Sequence, residues 1–232
     1  MASEVDICNL ALAHLGDVAN ISSIDPPDGS AQADHCARFY PVARNALLEM
    51  HDWGFASRRV ALAQLDNPTT TWAYCYAQPA DLLNTISVLA SDATDDTSVA
   101  MPQPVTWNDM VMPATGAGSY TPQPFVLESL DDGVDVLLTN QAGAVLRYVA
   151  QVQDTTKFSP LFVVTLSWSL ASMLAGPILK GQAGEASAAR CQAIAFGQDG
   201  RSGWFGKAAG SDAGQKRATT RDRQQVPWLN GR

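Results

Sequence analysis

The sequence predicts an α+β fold in which a helical bundle built from both chain ends carries an inserted small antiparallel β domain and an extended C-terminal arm. Three observations indicate it: apolar residues follow helical spacing in the first part, alternate with a period of two in much of the middle, and return to helical spacing from Ser159. We divide the chain accordingly into a helical domain (residues 1–65), a β domain (66–155), a second helical part (156–209) and a basic C-terminal arm (210–232).

Composition favours a globular chain. The protein has 232 residues, of which 46% are hydrophobic and 16% charged, so it can bury a sizeable core without a metal or disulfide. Glu4 and Asp6 lie where a signal peptide needs positive charge, and we therefore expect synthesis in a cytoplasm without secretion. The cysteines are scattered and are expected to be small buried hydrophobic residues: Cys8, Cys36, Cys75 and Cys191.

The helical domain begins with clear start signals. Ser3 is a good N-cap, Asp6 follows three residues later as in a capping box, and Gly16 marks the end of this first helix. A second helix is predicted from Ser30, and Pro41 lies inside its apolar stripe, where it is expected to kink the helix.

The segment HDWGFASRR, residues 51–59, completes this helical part. Trp53 and Phe55 precede Arg58 and Arg59, which we place at a helix end. We predict that these four residues belong to a subunit interface in which the arginines pair with acidic groups of a neighbour. The alternative is a solvated arginine pair beside ordinary core aromatics, because exposed ion pairs contribute little.

The β domain opens with TWAYCYAQPADLL, residues 71–83, in which aromatic residues alternate with small ones. A strand would place Trp72, Tyr74 and Tyr76 on one face. The flanks lack Lys and Arg, which a surface that stacks single-stranded nucleic acid requires, so we predict packing within the subunit or against a neighbour. Further on, FVLESL, VDVLLT and AVLRYVAQV are separated by turn residues and predict two hairpin connections.

Residues 161–179 contain no charged residue, and this uncharged segment is long enough to cross a membrane. Trp168 lies in the middle of this segment, and Gly176 and Pro177 interrupt its end, so a buried core helix is favoured and no membrane partner is expected. An Ala-rich helix at about 185–196 should pack against it.

Charge is unevenly distributed. Residues 210–232 hold five of the 15 basic residues and two of the 23 acidic ones, which leaves the arm at +3 and the rest of the chain at −11. An acidic body does not suit a protein that clamps DNA. The basic arm suggests an acidic partner or a solvated end.

No motif indicates an enzyme, a cofactor or a metal site. The three histidines do not have metal-ligand spacing, and neither a C-x-x-C pair nor a phosphate-binding loop occurs. The one acidic cluster, Asp131, Asp132 and Asp135, is typical of a hairpin turn.

Three stretches together resemble the tail tubular protein A family, the head-to-tail adaptors of short-tailed bacteriophages. They are the Asn-x-Ala-Leu-x-x-Leu-Gly run (Asn9 to Gly16), the Tyr-Pro to Phe-Ala segment (Tyr40 to Ala56) and the Trp-x-Tyr-x-Tyr-x-x-Pro-x-Asp strand (Trp72 to Asp81). The closing VPWLNGR also looks like the end of family members.

The resemblance implies a structural virion protein, not an enzyme, at the head-tail junction, assembled in the host cytoplasm. It implies a ring, typically of twelve copies, that binds the portal protein, extends the DNA channel without specific DNA binding and meets the tail nozzle protein. We predict portal contacts at Arg221, Arg223, Trp228 and Arg232. For the C-terminal arm, the alternative is a disordered tail. For the whole protein, one alternative is a peptidoglycan-degrading tail protein that acts during infection, supported only by the acidic cluster and the loop-rich β domain. The other is a binding module unrelated to phages.

Overall fold

The computed structural model describes residues 2–18, 20–91, 93, 105–107, 110–112, 123–131 and 133–221. Its contacts divide the chain into two units, the helical unit (Met1–Ala56 with Gln151–Arg232) and the β unit (Ser57–Ala150). Helices and antiparallel sheets are both present, in agreement with the predicted α+β class.

The described part of the chain has five α-helices and nine strands. The helices are α1 (Glu4–His14), α2 (Ala31–Glu49), α3 (Pro160–Leu179), α4 (Gly181–Phe196) and α5 (Trp204–Arg221). The strands are β1 (Ser57–Ala61), β2 (Gln64–Leu65), β3 (Tyr74–Ala77), β4 (Leu82–Leu89), β5 (Val105–Trp107), β6 (Met110–Met112), β7 (Phe125–Ser129), β8 (Asp135–Thr139) and β9 (Val145–Ala150).

Serine N-caps start helices α1, α2 and α3. Ser3 accepts from the Asp6 backbone N–H at 3.1 Å, and the Asp6 carboxylate accepts from the Ser3 N–H at 2.8 Å, which confirms the predicted capping box. These hydrogen bonds lower the pKa of Asp6. Ser30 and Ser159 accept from the N–H groups of Ala33 and Phe162 in the same way.

Helix α3 is the central element of the helical unit and packs against α1, α2, α4 and α5. Its length and composition would suffice to cross a membrane, yet half of its most apolar window is buried inside the chain. Thr165 donates to the Leu161 carbonyl at 2.8 Å and Ser172 to the Ser169 carbonyl at 2.7 Å. These two hydroxyl groups are therefore satisfied by the helix's own backbone.

Helices α3 and α4 approach each other closely at a glycine. A Cβ atom on Gly184 would lie 2.9 Å from the Ala175 carbonyl oxygen and 3.3 Å from Gly176 Cα. Only a residue without a side chain lets the two backbones pack at this distance.

The β unit is built from two main antiparallel sheets. The three-stranded sheet has the order β1-β9-β4, the four-stranded sheet has the order β2-β3-β8-β7, and β5 pairs with β6 in a separate hairpin. Tyr76 and Leu137 of the four-stranded sheet share a core cluster with Val88, Leu146 and Tyr148 of the three-stranded sheet. The main core of the β unit therefore lies between these sheets.

Three expectations need correction. Arg58 and Arg59 lie in strand β1, not at a helix end, because β1 pairs with the distant β9 (Arg58 opposite Tyr148). For the same reason the β unit begins at Ser57, nine residues before the expected boundary. Residues 210–221, expected to belong to an extended arm, continue α5 as helix.

Candidate functional site

The most specific feature of the helical unit is the attachment of α5 to the segment that follows α2. The Asp212 carboxylate accepts from the Gly54 backbone N–H at 2.9 Å, and its other oxygen lies 3.2 Å from His51 Nε2. Asp212 and His51 are mostly buried, with side-chain exposures of 14% and 23%. A carboxylate thus joins two parts of the chain that are separated by 158 and 161 residues.

Aromatic packing forms the second attachment. Trp53 is 1% exposed and donates from Nε1 to the Leu47 carbonyl at 2.9 Å. Its ring meets Phe162 of α3 edge-on at 5.0 Å and Phe205 of α5 edge-on at 6.1 Å. Such edge-to-face pairs stabilise packing beyond the area that they bury.

The two attachments hold the first half of α5. From Asp212 the helix continues for nine residues to Arg221, a rise of about 14 Å. Lys216, Arg217 and Arg221 fall in this stretch, followed in the sequence by Arg223 and Arg232. The basic end of the chain is therefore carried by a helix whose root is held by buried contacts.

Of the four predicted portal contacts, Arg221 is the last residue of α5. Arg223, Trp228 and Arg232 lie outside the described residues. The structure therefore describes the origin of the predicted contact segment.

The predicted interface residues at the end of the helical domain occupy different environments. Trp53 is a core residue, so its ring offers no surface to a neighbour in this conformation. Phe55 is half-buried and packs against Phe158 and Phe162, with ring centroids 5.7 and 5.1 Å away. Arg58 and Arg59 are exposed on strand β1.

Arg58 has an acidic partner in its own chain. Arg58 Nη1 lies 2.6 Å from Asp81 Oδ2, and the Tyr148 hydroxyl donates to Asp81 Oδ1 at 2.9 Å. Burial, together with the bond to Asp81, raises the pKa of Tyr148. Asp81 ends the Trp-to-Asp stretch that carries the family resemblance, so an intrachain role accounts for its position.

The prediction that Trp72, Tyr74 and Tyr76 share one face is wrong for Trp72. Tyr74 and Tyr76 share a face, with ring centroids 6.3 Å apart, but Trp72 packs against the cluster that contains Cys75. The β3–β8 pairing begins only at Tyr74, so residue 72 precedes the alternation. Tyr76 is 1% exposed and donates to the Gln141 carbonyl at 2.8 Å, which makes it a core residue.

The described part of the acidic cluster belongs to the β7–β8 turn. Leu130 N–H donates to the Val134 carbonyl at 2.9 Å, and the Ser129 hydroxyl donates to Asp135. Asp131 precedes Gly133, whose φ of +81° suits the turn, and Asp132 lies outside the described residues. This arrangement supports the turn interpretation.

One polar contact was not anticipated from the sequence. His14 stacks on Trp168 with ring centroids 3.6 Å apart, and its Nε2 lies 3.0 Å from Ser167 Oγ. Because Ser167 donates its proton to the Val164 carbonyl at 2.9 Å, His14 Nε2 must be the donor to Ser167. Burial lowers the pKa of His14.

Among the described residues, no group of three or more His, Cys, Asp or Glu side chains is placed to hold a metal ion. The four cysteines are free thiols and buried, as their scatter in the sequence predicted. Comparison with models of known protein families and with curated proteins gave no match.

Proposed function

We propose that this chain is a structural head-to-tail adaptor of a short-tailed phage virion, assembled in the host cytoplasm and located at the head-tail junction. In this proposal copies of the chain, typically twelve, form a ring that binds the portal protein, extends the DNA channel and connects it to the tail nozzle protein. The helices from both chain ends form the body of each subunit, and the basic C-terminal segment reaches the portal.

The observation that carries the proposal is the attachment of α5. A protein that docks through its C-terminal segment needs a rigid base from which that segment extends, because a base that moves adds an ordering cost to binding. Phe205 and Asp212 supply such a base through the contacts with Trp53 and Gly54. The basic residues begin one turn after Asp212.

Charge supports the same role. Residues 1–209 carry a net charge of −11, as counted above, and an acidic wall lets DNA slide because it makes few phosphate contacts. Five of the 15 basic residues lie in the last 23 residues, where they serve protein contact in this proposal. The portal protein and the tail nozzle protein are proposed as partners because three stretches of the sequence resemble the adaptor family.

The test is binding to the portal ring by electron microscopy and by sedimentation. A truncation that removes residues 222–232 keeps all of α5, whereas a cut at residue 210 would remove Asp212 and part of the fold. We expect the full chain to decorate the portal ring and the truncated chain to lose binding at least about tenfold, since each lost charged contact costs about 1 kcal/mol or more.

A matched variant separates tail loss from general damage. Arg58→Glu with Arg59→Glu alters two exposed basic residues of the β unit and leaves the tail intact. Arg58 contacts Asp81 of its own chain. If neither arginine contacts the portal or a neighbouring copy, this double variant should bind the portal like the full chain. Undiminished portal binding by the truncated chain would contradict the proposed role of the tail.

A further inference from the structure

A surface groove lies where two helices of the helical unit end. It is open to solvent and has a volume of about 600 Å³, which is in the range of small-ligand sites. Its apolar lining residues are Met50, Ala189, Ala193 and Phe196, and Gln192 and Gln198 also line it. Met50, which follows the last residue of α2, is 49% exposed.

Two helix ends and one carboxylate at this groove favour a cation, whereas Arg190 and Arg201 adjoin its lining residues Ala189 and Gly200. Helix α2 ends at Glu49 and α4 ends at Phe196, so two negative helix termini meet there, and neither helix has a basic residue in its last turn. Asp199 follows the lining residue Gln198 and accepts from the Arg201 and Ser202 N–H groups at 2.9 and 2.7 Å. These bonds lower its pKa to about 2, so its charge is permanent at neutral pH.

The C-terminal segment of the same chain has the complementary pattern. Trp228 lies between Arg223 and Arg232, five residues after the first and four before the second. An indole fits an apolar groove and can donate its N–H to the side-chain carbonyl of Gln192 or Gln198, which line the groove. The flanking guanidinium groups match the helix termini and Asp199.

The length of the chain allows this segment to reach its own groove. Asp212 contacts His51, the neighbour of Met50, and α5 then runs about 14 Å to Arg221. The seven residues from Arg221 to Trp228 span up to about 25 Å when extended, which is enough to return. A short tether of this kind gives an effective concentration in the millimolar range.

We propose that in the free chain the C-terminal segment docks intramolecularly, with Trp228 in the groove between Met50 and Phe196. This inference does not depend on the adaptor role. At a millimolar effective concentration, an intrinsic dissociation constant of about 0.1 mM suffices to slow amide exchange of the segment about tenfold.

The experiment is hydrogen exchange of the full chain, followed by mass spectrometry of the peptide that covers residues 222–232. Met50→Lys places a cation in the groove and repels the tail, while Lys remains favourable at the end of α2. Val42→Lys is the matched control, because Val42 is an equally accessible apolar residue of α2 (56% exposed) outside the groove. Trp228→Ala removes the indole itself.

We expect protection in the full chain and in Val42→Lys, and a roughly tenfold loss of protection in Met50→Lys and Trp228→Ala, at unchanged exchange of α3. A tail that exchanges at the unprotected rate in the unmodified chain overturns the proposal. Equal protection in Met50→Lys and Val42→Lys overturns the choice of groove. Protection that falls on tenfold dilution shows that a second copy supplies the tail and overturns the intramolecular assignment.

Discussion

The contact between α5 and the segment after α2 gives the sharpest test of the structure. Asp212→Ala removes the acceptor for the Gly54 N–H and the partner of His51, both within 3.2 Å. Hydrogen bonds to a charged group contribute about 1.5–3 kcal/mol each when buried, but Gly54 is exposed and can be rehydrated, so we expect a total loss of about 2 kcal/mol. For a chain of this length that lowers Tm by about 4–8 °C.

The assay is calorimetry combined with hydrogen exchange of α5. Asp66→Ala is the charge-matched control, since Asp66 is exposed in the β unit. Asp212→Asn should fall between the control and the alanine variant, because its carbonyl oxygen can still accept from Gly54. If Asp212→Ala melts like Asp66→Ala and α5 exchanges at the same rate in both, the proposed attachment is refuted.

Three further predictions concern packing, pH and thiol reactivity. Gly184→Ala should lower the free energy of unfolding by about 1–3 kcal/mol in denaturant titrations because its Cβ would overlap the Ala175 carbonyl, whereas Gly210→Ala, with open space around it, should stabilise α5 by about 0.5–1 kcal/mol. A destabilised Gly210→Ala would contradict this. Burial lowers the pKa of His14 in the folded state, so the unfolded chain binds a proton more readily and the free energy of unfolding falls as pH drops from about 6.5. His14→Gln should remove this part of the pH dependence of stability. Identical pH profiles of the unmodified protein and His14→Gln would exclude the effect. Ellman's reagent should label no cysteine in the native protein and four after denaturation, since all four thiols are buried; rapid labelling of any native thiol would contradict the packing.

Local signals in the sequence identified local structure. The capping box of Ser3 and Asp6 spans three residues, and the turn around Gly133 spans five, so both are visible without knowledge of the rest of the chain. The uncharged helix α3 was predicted because its length, its central Trp168 and its terminal Gly176 and Pro177 are properties of one segment.

Two features that depend on distant partners were not predicted. From the sequence alone, strand β1 was assigned to the helical domain. Its strand structure depends on pairing with β9, which lies nearly ninety residues later. Helix α5 contains Gly206, Gly210 and Gly214, which disfavour helix, and its basic end resembles a solvated tail. Packing of Phe205 and the bond from Asp212 to Gly54 override that propensity, and neither partner is near in sequence.

The two proposals for the C-terminal segment are linked by thermodynamics. Trp228 cannot occupy the groove beside Met50 and a portal site at the same time. The apparent affinity of the free chain for the portal is therefore the intrinsic affinity multiplied by the fraction of chains whose tail is undocked. A variant that only releases the tail should therefore bind the portal more tightly by the same factor. If Met50→Lys raises tail exchange about tenfold, its portal affinity should rise about tenfold as well. Increased exchange with unchanged affinity would show that the portal does not use the residues that dock in the groove.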